Sequence, residues 1–143
     1  MCSSDLLGAP RSRFGARFAG VNLVAGRFAD DGTLVTDQGV VWHGAAVANP
    51  ETGTQGLAIF PPAAVAVYRE RPVGSPRNVV DVEVAELDVR GAVVRVRTAG
   101  RPDGAPGLAA DVTTEAVLDM RLAPGDRVCF VVKAREVALH EAP

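Results

Sequence analysis

The stretch GSPRNVVDVEVAELDV, residues 74–89, joins a short polar turn to the clearest alternating pattern in the chain. From Val79 to Val84, valines alternate with acidic residues, which is typical of a strand with one buried face. After Ala85 the alternation continues in the opposite phase, starting with Glu86 as a polar position. Because a phase change within a strand requires an extra residue, the pattern predicts a long strand over 79–89 that is bent by a β-bulge.

Downstream of this strand, turn residues separate shorter apolar runs. Gly91 turns the chain, and Pro124-Gly125 ends a short helix that begins at Thr113 or Thr114 and runs through Arg121. The further predicted strands are residues 94–98, 108–113, 127–133 and 137–140. The order β-β-β-α-β-β with a long bent first strand is typical of a five-stranded oligonucleotide/oligosaccharide-binding (OB) barrel, which we place at residues 73–141.

Upstream of the turn, residues 21–72 predict a smaller β-rich lobe. Apolar runs alternate there with turn signals such as Asp30-Asp31-Gly32, and no segment has helical periodicity. Pro61-Pro62 interrupts the last apolar stretch and indicates a turn or a sheet edge. The predicted strands are residues 21–28, 34–42 with a break at 37–39, 57–60 and 65–69. The fold class is therefore all-β.

The first twenty residues do not fit either unit. Residues 1–6 differ in character from the rest, and we interpret them as an artefactual start of the reading frame. Residues 7–19, with Phe14 and Phe18 four positions apart, predict a short amphipathic helix that Gly20 ends. We expect this helix to be the tail of a preceding domain, which makes the chain the C-terminal piece of a longer protein.

Composition excludes several classes of protein. The 143 residues are 48% hydrophobic and 22% charged, which suits a soluble globular chain. A net charge of -2 with 5% aromatic residues argues against a nucleic-acid-binding surface. The longest apolar run, residues 57–68, is too short for a membrane span of about twenty residues. Cys2 and Cys129 are isolated, so neither a disulfide framework nor a metal pair is indicated.

No catalytic pattern is present. The sequence contains neither a G-x-x-x-x-G-K-[ST] phosphate loop nor a G-x-S-x-G nucleophile turn. His43 and His140 stand far apart without metal-ligand spacing, and Cys129 lies in an apolar strand, where a core position is the simplest interpretation. We expect no enzyme activity, no metal centre and no cofactor in this chain.

An anion-binding set remains. Ser75 offers a hydroxyl, Arg77 a planar fork of donors and Asn78 an amide within one loop, and loop N–H groups can converge on the same charge. Taken alone, these three residues are best explained as an ordinary turn with a solvated arginine. Two further positions could join them in an OB barrel: Thr113 at the helix entrance and Lys133-Ala134 after the fourth strand, within one chain or across a dimer interface.

The same residues resemble a known family. The motifs Gly74-Ser-Pro-Arg-Asn78, Val112-Thr113, Leu122-Ala-Pro-Gly125 and Val-Val-Lys133-Ala134 are similar to those of the molybdate-binding Mop module of the transport-associated OB (TOBE) group. Phe18-Ala-Gly-Val-Asn-Leu-Val-Ala-Gly26 and Ala58-Ile-Phe-Pro-Pro62 resemble the region that joins the ATPase domain to this module in ATP-binding subunits of molybdate-type ABC importers.

The resemblance implies a molybdate or tungstate site formed by Ser75, Arg77, Asn78, Lys133 and Ala134 of one subunit, with Thr113 from the second subunit of a homodimer. Three positions depart from the family pattern: Pro76 replaces alanine, Ala116 replaces a binding serine, and Arg135 replaces a small hydroxyl residue.

Two functions follow as alternatives. The first is a regulatory oxyanion-binding domain of an ABC importer ATP-binding subunit, which would be cytoplasmic, peripheral to the membrane, and joined to permease subunits through its ATPase domain. The second is a structural or dimerisation lobe of a related importer ATPase that binds no ligand. A free molybdate-storage protein stays a further alternative if residues 7–20 are a true N-terminus, and nucleic acid is not an expected partner.

Overall fold

The computed structural model describes residues 20–46, 50–74, 78–100 and 107–142. Its first five strands are β1 (Asn22–Phe28), β2 (Leu34–Val35), β3 (Val41–Trp42), β4 (Ala45–Ala46) and β5 (Gln55–Phe60). The next are β6 (Val65–Tyr68), β7 (Asn78–Arg90), β8 (Val93–Thr98) and β9 (Ala109–Thr113), followed by helix α1 (Thr114–Met120), β10 (Arg127–Val132) and β11 (Ala138–Glu141). Two 3-10 helices, Pro62–Ala64 and Ala134–Glu136, follow β5 and β10.

The predicted fold class and the predicted order of elements from residue 78 onward are confirmed. The register of β7 against β8 shifts between Val84 and Glu86, so the predicted bulge lies where the alternation changes phase. Before the shift β7 pairs with β10, and after it β7 pairs with β8. The bulge therefore lets one long strand bend between two neighbours. The short strand β4 was not predicted, and the helix predicted over 7–19 falls outside the described residues.

The strands form two curled sheets. The six-stranded sheet has the order β3-β2-β1-β5-β11-β4, and we call it lobe A. The five-stranded sheet has the order β6-β10-β7-β8-β9, and we call it lobe B. The edge strands of lobe B, β6 and β9, lie close to each other, so this sheet curls into a barrel-like form.

Each lobe receives its last strand from the other half of the chain. The strand β6 follows β5 in sequence but pairs with β10, whereas β11 follows β10 but pairs with β5. This differs from the expectation that the strand at 137–140 closes the same unit as the strand at 127–133. The division into 21–72 and 73–141 stays a prediction about domains, and strand pairing crosses it in both directions.

A short 3-10 helix connects β5 to β6, and another connects β10 to β11. The residue that follows each of these helices, Val65 or Val137, is buried and enters the strand of the opposite lobe. Asn22 opposes Phe60 at the end of β5, and Asn78 opposes Val132 at the end of β10. The two lobes are therefore related by an internal two-fold arrangement, in which β1, β5 and β11 correspond to β7, β10 and β6.

The lobes share one hydrophobic core. Trp42 stacks on Phe60 with ring centroids 5.0 Å apart, and both residues are almost fully buried. Residues of both sheets belong to the same cluster, among them Leu34, Phe60, Val84, Val96, Phe130 and Leu139. Since the exchanged strands β6 and β11 both contribute to this cluster, separating the lobes would expose apolar surface on each side.

None of the helices in the described part of the chain is long and apolar enough to cross a membrane.

Candidate anion-binding corner

The strands β7 and β10 meet at the end of lobe B where three of the predicted site residues lie, Asn78, Lys133 and Ala134. Asn78, the first residue of β7, is opposite Val132, the last residue of β10. The chain of β10 leaves the sheet at Lys133, and β7 is preceded in sequence by Ser75-Pro76-Arg77. Residues 75–77 are outside the described ranges, so Ser75 and Arg77 have no described geometry. We call this end of lobe B the anion corner.

Lys133 is exposed and is the N-cap residue of the second 3-10 helix, Ala134–Glu136. Its backbone is extended (φ -69°, ψ 140°), and its carbonyl accepts a hydrogen bond of 2.9 Å from the N–H of Glu136. The carbonyl of half-buried Ala134 accepts a bond of 3.1 Å from the N–H of Val137. Among the described backbone hydrogen bonds, those within this turn use the N–H groups of Glu136 and Val137 and not those of Ala134 and Arg135. The turn therefore presents an ammonium group beside backbone donors, which suits an anion.

Asn78 lies at the corner but its side chain points to lobe A. The residue is 1% exposed. Its Oδ1 accepts a hydrogen bond of 2.7 Å from the N–H of His43, and its Nδ2 donates one of 2.9 Å to the carbonyl of His43. The carboxamide is thus bound to backbone on both sides. Its predicted role as an oxyanion ligand is untested, and the described contacts give it a connecting role.

Thr113 occupies the N-cap position of α1, as predicted. Its hydroxyl oxygen accepts a hydrogen bond of 3.0 Å from the N–H of Ala116, which satisfies one of the free donors of the first turn. The hydroxyl hydrogen takes no part in this bond. Thr113 is exposed, so the hydroxyl can still donate to a group outside the lobe.

In strand register, Thr113 belongs to the end of β7 opposite to the anion corner. It is opposite Val93, and Val93 is opposite Arg90, the last of the 13 residues of β7. The curl of lobe B also brings β9 beside β6. Strand pairing thus brings Lys133 and Ala134 to the start of β7 and pairs Thr113 toward its other end.

The resolved pKa shifts belong mainly to ion pairs on β7, β8 and β9, away from the corner. Hydrogen bonds from Arg95 lower the pKa of Asp111, and Arg90 lowers the pKa of Asp88. Cys129 is buried and donates a hydrogen bond of 3.1 Å to Asp81, which lowers the pKa of that carboxyl, while burial raises the pKa of the thiol. Cys129 is therefore a core residue, as predicted.

Among the described residues, no group of three His, Cys, Asp or Glu side chains could hold a metal ion. The corner offers an ammonium group and N–H donors, and these bind anions rather than cations.

Residues 74–139 match the family model described as TOBE domain. This range begins at the turn before β7 and ends within β11, so it covers every element of the anion corner. This part of the chain is therefore similar to TOBE domains. Part of the lobe B sheet lies outside the matched range, because β6 is contributed from the preceding half of the chain.

Two curated proteins are also similar to the chain. It is 58% identical over 140 residues to the molybdenum import ATP-binding protein ModC of Mycobacterium tuberculosis, in both the CDC 1551 / Oshkosh and the H37Rv strains. The match covers 98% of this chain and 38% of ModC, so the chain spans about two fifths of the length of these relatives.

A solved structure shares the fold. The cytoplasmic molybdate-binding protein ModG, crystallised with molybdate bound, superposes with a TM-score of 0.71 at 21% sequence identity. The superposition covers 85% of this chain and 96% of ModG. At this identity the likeness shows the fold alone, and it includes both lobes rather than the TOBE domain by itself.

Sequence reasoning missed the partner of Asn78 and the equivalent role of Asn22. Asn22 is 3% exposed and binds the backbone of Ala109 in the same way. A signal was present, since both asparagines directly precede the apolar run of a predicted strand. What the sequence could not show is that each side chain reaches into the other lobe.

Proposed function

We propose that the chain is an oxyanion-binding regulatory region of an ABC importer ATP-binding subunit, with molybdate or tungstate as its ligand. The observation that carries the proposal is the register of Asn78 against Val132. This register sets Lys133 and the attachment point of the loop that contains Ser75 and Arg77 at one end of the same sheet. A tetrahedral dianion there would meet an ammonium, a guanidinium, a hydroxyl and backbone N–H groups.

Such a donor set suits the ligand energetically. Hydrogen bonds to charged groups contribute about 1.5–3 kcal/mol each. Four of them contribute about 6–12 kcal/mol, and a micromolar dissociation constant corresponds to a binding free energy of about 8 kcal/mol. The names of ModC, as a molybdenum import protein, and of ModG, as a molybdate-binding protein, favour this oxyanion class over sulfate or phosphate.

We propose further that the site is completed by a second copy of the chain. Thr113 is exposed, keeps a hydroxyl hydrogen for donation and lies at the far end of β7 from Lys133. We therefore infer that it reaches an oxyanion at the anion corner of another protomer. The proposed assembly is a homodimer in which each chain supplies Thr113 to its partner's corner.

In the full importer, the bound ion would act by linkage. Molybdate held between two chains favours the arrangement of subunits in which it binds more tightly, and it shifts the equilibrium only by that difference in affinity. We infer that this slows uptake when the ion is abundant. The full subunit would lie in the cytoplasm, peripheral to the membrane, and contact the permease through an ATPase domain.

A thermal-shift experiment tests the proposal. We expect 1 mM molybdate or tungstate to raise the melting temperature by about 5–10 °C for a dissociation constant near 10 μM, because ligand binding to the native state adds about 2.7 kcal/mol at a hundredfold excess. Equal concentrations of sulfate and phosphate should have little effect. Analytical ultracentrifugation of the same samples should report a dimer.

Variants assign the effect to the anion corner. Replacing Arg77 and Lys133 together by alanine should abolish the shift. The matched control replaces Arg71 and Arg127, two exposed arginines elsewhere on lobe B, and removes the same net charge. This control should keep the shift.

The second candidate function is a structural or dimerisation lobe without a ligand. The sequence departures favour it: Pro76 lacks a backbone N–H, and neither Ala116 nor Arg135 supplies the hydroxyl found in the family. A folded dimer whose melting temperature does not change with molybdate or tungstate would support this function and reject the first.

A further inference from the structure

Two asparagines connect the lobes in equivalent ways. Asn22 starts β1 and donates from Nδ2 to the carbonyl of Ala109 at 2.9 Å, while its Oδ1 accepts from the N–H of Ala109 at 2.7 Å. Asn78 starts β7 and makes the same pair of bonds to His43, at 2.9 and 2.7 Å. Both side chains are buried. We call each pair of bonds an asparagine clamp.

In the sequence, cationic residues adjoin one of the two clamps, at Asn78, and do not adjoin the other, at Asn22. At the anion corner, Arg77 precedes the clamp and Lys133 follows the partner strand β10. At the equivalent place in lobe A, Val21 precedes Asn22, and Pro61 follows β5.

The two corners also differ in their backbone N–H donors. The 3-10 helix at the anion corner begins with Ala134, which has a backbone N–H, whereas the equivalent helix begins with Pro62, which has none. The internal two-fold thus relates a corner with anion-binding groups to one without them.

We propose that Asn78 is a positioning residue of the anion corner: it holds the start of β7, which lies opposite the last residue of β10, to the backbone of lobe A at His43. The equivalent clamp at Asn22 supports the fold alone, and each chain carries one oxyanion corner. This inference rests on the proposed function.

The contacts of Asn78 support positioning over direct binding. Its Oδ1 and Nδ2 are both bonded to His43, and the side chain is nearly inaccessible to solvent. Turning the carboxamide toward an oxyanion would leave the part-buried N–H and carbonyl of His43 without these partners, which is unfavourable. Holding the backbone before the ligand arrives reduces the ordering cost of binding.

The two clamps provide a matched pair of variants. Asn78→Ala and Asn22→Ala each remove the same two hydrogen bonds, so both should lower the melting temperature of the 143-residue chain to a similar extent. Molybdate affinity is then measured by calorimetry at a temperature where all three proteins are folded. We expect affinity to fall at least tenfold in Asn78→Ala and to stay within twofold of the wild type in Asn22→Ala.

A second measurement uses the unmodified chain. The N–H of His43 is donated to Asn78, and the N–H of Ala109 is donated to Asn22. If the clamp positions the corner, molybdate should slow hydrogen exchange at the His43 amide by a severalfold larger factor than at the Ala109 amide. A direct ligand role for Asn78 would draw its carboxamide away and speed exchange at His43.

The outcomes separate this inference from the proposed function. A folded wild-type chain that does not bind molybdate overturns both. A wild-type chain that binds, with equal affinity losses in the two variants or with no greater protection at His43 than at Ala109, overturns the positioning role and leaves the oxyanion function standing.

Discussion

Arg95 and Asp111 face each other across β8 and β9 and are joined by two hydrogen bonds of 2.7 and 2.9 Å. Their side chains are 18% and 21% exposed, so this pair is better shielded from water than the other ion pairs on the same surface. The guanidinium of Arg95 lowers the pKa of Asp111 below its ordinary value of 3.8. The pair fixes the register of β9, the strand that leads into α1.

Replacing Asp111 by asparagine should therefore destabilise the chain in a pH-dependent way. A carboxyl whose pKa is lower in the folded than in the unfolded state stabilises the fold above the unfolded pKa and loses that contribution as the pH falls through the folded pKa. We expect Asp111→Asn to lower the free energy of unfolding by about 1 kcal/mol near neutral pH. Urea titrations should show the difference shrinking below about pH 4.

Glu86→Gln is the control for that measurement. Glu86 is 64% exposed and lies 3.7 Å from Arg97, so its loss should change stability by less than about 0.5 kcal/mol at every pH. An equal loss in both variants, or a difference for Asp111→Asn that grows as the pH falls, would contradict the assignment of Asp111.

Arg69 provides a second test, at the other end of α1. Its guanidinium donates to the carbonyls of Met120 and Arg121 and to the carboxylate of Asp126, at distances between 2.8 and 3.1 Å. It thereby satisfies carbonyls that the helix leaves free at its C-terminus and ties β6 to the TOBE domain. Arg69→Ala should cost about 1 kcal/mol and speed amide exchange in α1.

Arg71→Ala is the matched control for Arg69. Arg71 lies two residues further along and makes one contact of 3.4 Å with Asp81, with both side chains more than half exposed. Its replacement should leave α1 exchange unchanged. If the two variants speed exchange in α1 equally, Arg69 has no special role at the end of the helix.

The strands could be predicted because their signals are local. Alternation in β7 reverses at Ala85, and the register shift lies there because a strand with one buried face cannot change phase otherwise. Thr113 or Thr114 was predicted as the N-cap from the position before an apolar helical pattern, and the hydroxyl of Thr113 accepts the expected bond. In both cases neighbours in sequence determine the structure.

The exchange of β6 and β11 could not be predicted, because it depends on contacts between distant residues. The sequences of β6 and β11 only indicate strands, and neither Val65 nor Val137 encodes which sheet it joins. The residues of the anion corner also differ in whether the sequence could predict their roles. Lys133 could be proposed from its motif, whereas the clamp between Asn78 and His43 depends on how two lobes pack.

The exchange itself leads to the last prediction, at Leu139 of β11. Leu139 is 1% exposed and opposes Ala58 of β5. Its side chain therefore stabilises lobe A, although β11 follows a strand of lobe B, β10, in the sequence. Leu139→Ala should lower the free energy of unfolding by about 2–4 kcal/mol through lost burial and the cavity left behind. Glu141→Ala, at the exposed end of the same strand, should change it by less than about 0.5 kcal/mol.

Hydrogen exchange then shows which lobe loses its support. We expect amides of β5 to exchange faster in Leu139→Ala by a larger factor than those of β8, because β11 is bonded to β5 and β8 lies in the other sheet. If β11 instead closed the same barrel as β10, as the order of elements in sequence suggests, protection would fall first in lobe B. Faster exchange confined to β8 and β9 would therefore reject the strand exchange.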